Sequence, residues 1–241
     1  MLGILQDEIR LLTFRSMGPG VRTRYAAYLA FGLFMTWLAG LGRYWDNERA
    51  ALWQQLGLGS LAYVFVLSFV LWIIVAPLRP EKWSYRNVLL FVTLTSPPAI
   101  LYAIPVERFM TPDNARISNM WFLAIVALWR VALYWRFLNG AAKLPPAAAT
   151  VATLLPLALI VVTLSAFNLE HAVFSIMAGI DESQRTSADA AYAVVLALSV
   201  FSVIGAPLIG LVYLVLIYMR HSINEPVTKP QSSETAIARR D

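Results

Sequence analysis

The chain has 241 residues, of which 59% are hydrophobic and only 14% charged, with a formal charge of +5. Soluble domains run roughly 45–50% apolar and about 25% charged, so a soluble domain of this size cannot hide the excess; the composition specifies an all-α polytopic membrane helix bundle. The chain has no cysteine, which excludes disulfides, thiol nucleophiles and cysteine metal sites, and its two histidines, His171 and His221, lie far apart in sequence.

Residues 1–20 read as a cytoplasmic interfacial unit. Asp7 and Glu8 interrupt any early apolar run, so no secretory leader is expected here, and the first long apolar run, starting near Tyr25, is expected to stay as an anchor. Leu2, Leu5, Ile9 and Leu12 recur at helical spacing. The pattern suits a short amphipathic helix, either lying on the membrane surface or packed on the bundle's own end. Gly18-Pro19-Gly20 breaks it.

Residues 21–221 hold six apolar runs, at about 25–42, 56–77, 85–105, 119–137, 148–167 and 190–219. Each is read as a transmembrane helix, giving six in all. Pro156 lies inside the fifth. The sixth covers roughly 45 Å at helical rise, more than a hydrocarbon core of about 30 Å, so it tilts, protrudes or bends at Gly205-Ala206-Pro207. A polar connection at 168–188 separates the last two. Residues 222–241 are polar, carry two prolines and show no apolar period; they are expected to be disordered.

Six spans put both termini on one side. On that side fall thirteen Lys and Arg, at Arg10, Arg15, Arg22, Arg24, Arg79, Lys82, Arg86, Arg136, Lys143, Arg220, Lys229, Arg239 and Arg240. The other side has five: Arg43, Arg49, Arg108, Arg116 and Arg185. The positive-inside rule therefore places both termini in the cytoplasm, in a plasma membrane of bacterial inner-membrane type. Topology explains the basic balance, so no nucleic acid is needed. The expected partners are the lipid bilayer, anionic lipid head groups near Arg22, Arg24 and the tail, and a protein partner within the membrane.

The site-like feature is the third run, NVLLFVTLTSPPAILYAIPVERF, broken in its middle by Thr93, Thr95, Ser96, Pro97 and Pro98. Two consecutive prolines free the carbonyls of Thr93 and Leu94, which in hydrocarbon need partners. Arg130 in the next run offers five donors and a permanent charge. At helical rise Thr93 lies roughly 10 Å and Arg130 roughly 9 Å from the same membrane edge. The sequence thus predicts that Arg130 reaches the Thr93–Ser96 region; the alternative is a side chain that snorkels to the head groups. Proline breaks in the third and sixth runs also hint at a three-plus-three inverted repeat, a pattern that Pro156 disturbs.

A second cluster gathers at the outer rim, with Arg43, Asp46, Glu107, Arg108 and His171. No HExxH, Walker, dinucleotide or G-x-S-x-G motif accompanies it, so it reads as a solvated ion-pair rim, and no cofactor or metal is expected. Three functions are weighed: a non-enzymatic accessory or scaffold bundle, a small permease or lipid-handling protein with its site at the broken span and Arg130, and a membrane enzyme working at the rim. The first requires least.

Overall fold

The computed structural model describes residues 2–18, 20–45, 51–166 and 190–222. Every regular element among them is helical: α1 (Leu2–Leu12), α2 (Gly20–Thr23), α3 (Tyr25–Tyr44), α4 (Leu52–Gln55), α5 (Leu58–Val75), α6 (Tyr85–Leu94), α7 (Pro112–Gly140), α8 (Pro146–Ala166) and α9 (Ala190–Ser222), with a 3-10 segment at Pro97–Ala103. Asp46, His171, the connection at 168–188 and the tail from residue 223 lie outside the described residues.

Among the described residues five helices are long and apolar enough to cross a membrane, with the spans Tyr25–Gly42, Leu58–Leu78, Ile117–Gly140, Pro146–Ala166 and Ala197–Ser222. This is a membrane helix bundle. The third run, expected as a transmembrane helix broken in its middle, is not among these five. There the helix α6 has only ten residues, and the chain continues as the 3-10 segment. The cause is local. Ser84 opens α6 by accepting from the Asn87 amide at 3.3 Å, and Pro97 and Pro98 then withdraw two consecutive donors from the ladder. The single prolines Pro156 and Pro207 sit inside continuous helices α8 and α9. The two halves therefore do not share a matching break, and α9 answers its excess length without one.

Despite its shortness, α6 is the centre of the bundle. All residues from Val88 to Leu94 are buried. Helices α3 and α5 pack against α6, while α3 and α7 pack against the 3-10 segment. The core joins Val64, Leu71 and Val75 of α5 to Val88, Phe91 and Val92 of α6 and to Leu133, Tyr134 and Leu138 of α7. Phe91 stacks on Phe137 with ring centroids 4.3 Å apart. Helix α9 lies outermost, packed on α8. The Tyr213 hydroxyl ties α9 to the Ile74 carbonyl, and Arg220 donates to the Leu78 carbonyl.

Helix α1 is docked on the bundle with its acids inward. Ile4, Asp7 and Glu8 are buried, while Leu2, Leu5 and Ile9 of the apolar stripe are exposed. The Trp129 indole of α7 donates to the Leu12 carbonyl at 2.9 Å. Asp7 accepts from the Tyr28 hydroxyl at 2.5 Å and from the Gly18 amide at 3.0 Å, so it pins both α3 and the hinge after α1. Three residues of the apolar stripe thus face outward while Leu12 packs on the core, because the polar contacts of Asp7 decide which side docks.

Candidate functional site

The break at the bundle centre closes on itself and on α3. The Thr93 hydroxyl donates to the Leu90 carbonyl at 2.9 Å and Thr95 to the Val92 carbonyl at 3.0 Å. Ser96 reaches the same Val92 carbonyl at 3.3 Å. From α3, Thr36 donates to Ser96 Oγ at 2.9 Å, and the Gly32 carbonyl, 2.8 Å away, competes for the same proton. The Thr93 carbonyl, freed by the prolines, accepts from the Ser96 amide at 3.2 Å. Thr93, Thr95, Ser96 and Pro98 are buried. A buried hydroxyl without a partner costs roughly 1–3 kcal/mol, which explains why so many short local bonds gather here.

The close approach of α3 makes the Thr36 contact possible. A Cβ on Gly32 would sit 2.6 Å from Thr93 Oγ1, and one on Gly40 would sit 2.7 Å from Ser60 Oγ. Glycine at both positions lets one face of α3 touch α6 and α5. Gly32, Thr36 and Gly40 are four residues apart in turn, a small-residue spacing used at membrane helix contacts. That spacing is readable in the sequence, and it is the signal that could have pointed to Thr36 as the break's partner.

Arg130 does not meet the break. It is half-exposed and makes no hydrogen bond or ion pair with any described residue. The reason is that the hydroxyls and the Thr93 carbonyl are already satisfied by α6 itself and by α3. Helix α7 instead presents aromatic and aliphatic side chains to α6, with Phe91 and Tyr134 ring centroids 6.1 Å apart.

At the rim, Arg108 stacks over the Trp45 ring at 4.9 Å, and the Trp45 indole donates to the Ala103 carbonyl at 3.1 Å. These contacts fasten the end of α3 to the end of the 3-10 segment. The side chains of Arg43 and Glu107, like Asp46 and His171, lie outside the description. Among the described residues no group of three or more His, Asp or Glu is placed to hold a metal ion.

Two further features were not read from the sequence as sites. One is Glu8, only 3% exposed, with both carboxylate oxygens lacking a hydrogen-bond partner. Burial pushes its carboxyl up to about 8. By contrast, the Tyr28 hydrogen bond, helped by the Gly18 amide and Arg10, holds Asp7 below its ordinary range against the opposing effect of burial. The other is a cleft of about 830 Å³ at the α1 end of the bundle, between the hinge after α1, the α5–α6 loop and the end of α7.

Comparison with known proteins adds no relative: no protein-family model matches the chain, no curated protein is similar to it, and no solved structure matches it.

Proposed function

We propose that this protein is a non-enzymatic accessory or scaffold bundle of a bacterial-type inner membrane, crossing it six times with both termini in the cytoplasm. The observation that supports it is the closed break. The hydroxyls of Thr93, Thr95 and Ser96 are engaged by α6 and α3 without Arg130, and a closed helix junction serves packing better than solute binding. The sixth crossing is the two-piece one. Ten α-helical and seven 3-10 residues carry the chain roughly 29 Å, the thickness of a hydrocarbon core. The excess of thirteen Lys and Arg over five supports the orientation.

The partner of such a scaffold is another membrane protein, met through the outward apolar faces of α5 and α9. The runner-up is a small permease or lipid-handling protein, and the observation that favours it is the cleft at the α1 end.

The test pairs two measurements on membranes containing the full chain. Native electrophoresis after mild extraction should give a complex heavier than the 26.9 kDa chain, and Arg130→Leu should leave that complex and vesicle permeability unchanged. A lone monomer whose solute or lipid movement disappears in a well-folded Arg130→Leu variant would replace the scaffold reading with the permease. Reporter fusions at each terminus test the orientation separately.

A further inference from the structure

The cleft at the α1 end has an apolar floor and a cationic rim. Leu90, Phe91, Leu133 and Phe137 form the floor. The rim carries Arg15 from the hinge after α1, Lys82 from the α5–α6 loop and Arg136 from α7. These three cations come from three separate elements. None of them makes an ion pair or side-chain hydrogen bond with a described residue.

The one acid among the described residues that line the cleft is already engaged. Glu81 pairs with Lys143 at 3.0 Å, across from the α7–α8 loop. The same two loops are tied by the Glu81 amide donating to the Ala142 carbonyl at 3.0 Å. Asn139 fixes one loop through the Leu144 carbonyl at 3.0 Å, and Asn87 fixes the other through the Lys82 carbonyl at 2.8 Å. Lys82 itself is held at φ 50, in the left-handed region that non-glycine residues seldom occupy. The walls are therefore cross-braced, and the acid is neutralised by a cation from outside the cleft. What remains is positive charge with no partner among the described residues, in a cleft whose lining includes the buried Phe91.

We propose that this cleft binds the head group of an anionic phospholipid, its phosphate among Arg15, Lys82 and Arg136 and the start of its acyl chains on the Phe91–Phe137 floor. Charge complementarity demands an anion, and the apolar floor demands that the anion carry hydrocarbon. The position agrees: the cleft spans the junction between polar loops and the first buried turns of α6, where a phospholipid places its phosphate. Basic pockets between membrane helices are suited to such head groups. The proposal goes beyond the scaffold reading and stands whether or not the chain has a protein partner.

The test uses the purified full chain in neutral detergent, with phosphatidylglycerol, phosphatidylcholine, glycerol 3-phosphate or inorganic phosphate added. Phosphatidylglycerol should raise the thermal midpoint and survive as an adduct in native mass spectrometry, while the other three should do neither. Changing Arg15→Gln, Lys82→Gln and Arg136→Gln should weaken phosphatidylglycerol binding about fivefold for each cation removed. Arg79→Gln, at an exposed cation three residues before Lys82 that does not line the cleft, should leave binding as it was. Equal stabilisation by phosphatidylcholine, or unchanged binding in the triple variant, overturns the proposal. An equal shift with inorganic phosphate or glycerol 3-phosphate assigns the cleft to a free anion and overturns it as well. If the triple variant fails to fold, the lipid comparison on the unaltered chain still decides.

Discussion

Replacing Glu8 with glutamine should make the docking of α1 insensitive to pH. The carboxyl is 3% exposed and neither oxygen has a hydrogen-bond partner, so the docked state holds it as the neutral acid. Its ordinary value is 4.5, and in the fold it is pushed up to about 8. For an acid shifted upward, the docked and released states are both protonated below 4.5, and no penalty exists there. As pH rises from 4.5 toward 8, the released state loses its proton while the docked state keeps it, so docking weakens by about 1.36 kcal/mol per unit. The loss is complete near pH 8 and totals roughly 5 kcal/mol. Thermal melts of the full chain in detergent, followed by tryptophan fluorescence from pH 5 to pH 9, read this directly. The wild-type midpoint should fall between pH 5 and pH 8 and then level, whereas Glu8→Gln should hold a flat midpoint across the range. Asp7 does not interfere. Its carboxyl is lowered from 3.8, so its contribution is present above that value and is lost only at more acidic pH. A wild-type midpoint that stays level from pH 5 to pH 8, or a Glu8→Gln profile parallel to it, refutes the reasoning.

Other substitutions test the packing at the centre. Gly32→Val places a Cβ within 2.6 Å of Thr93 Oγ1, and the forced separation of α3 from α6 should cost about 1–3 kcal/mol in chemical denaturation of the detergent-solubilised protein. Thr36→Val removes the bond to Ser96 while keeping the shape, and should cost about 1 kcal/mol in the same assay. Gly57 has φ +68, and a Cβ there would lie 2.8 Å from the Trp37 carbonyl. Gly57→Ala should therefore cost roughly 1–2 kcal/mol from backbone conformation alone, with the clash adding to it.

Much of the bundle was legible in the sequence because length and hydropathy act locally. The apolar runs, the opening of α6 near Ser84 and the interruption at Ser96-Pro97-Pro98 all follow from neighbouring residues. What stayed hidden depends on which way a helix faces. Helical rise gave Arg130 a depth similar to Thr93, but depth says nothing about direction around the axis, and Thr36 occupies the contact that Arg130 was expected to make. Helix α1 shows the same limit. Leu2, Leu5 and Ile9 mark an apolar stripe, yet a stripe reads alike whether it meets lipid or protein. The partners of Asp7 that settle the matter, Tyr28 and Gly18, lie 21 and 11 residues away in sequence. The cleft was invisible for a related reason, since Arg15, Lys82 and Arg136 come together only when three elements are in place.

The short central helix also bears on how the chain enters a membrane. A segment that is helical for only ten residues, then turns to 3-10 geometry, cannot settle alone in lipid as a full apolar helix does. Its Ser96 hydroxyl and the close contact of Thr93 on Gly32 are completed by α3, which emerges earlier during synthesis. The expected consequence is ordered insertion, with α3 kept beside residues 85–103 as both enter the bilayer. Glycosylation mapping of chains truncated after α7 tests this: Gly32→Leu should strand the third crossing on the wrong side more often than the unaltered sequence, and equal crossing by both would remove the requirement. On this view the serine and prolines at the break act as a timing constraint on biogenesis, making the insertion of residues 85–103 conditional on α3.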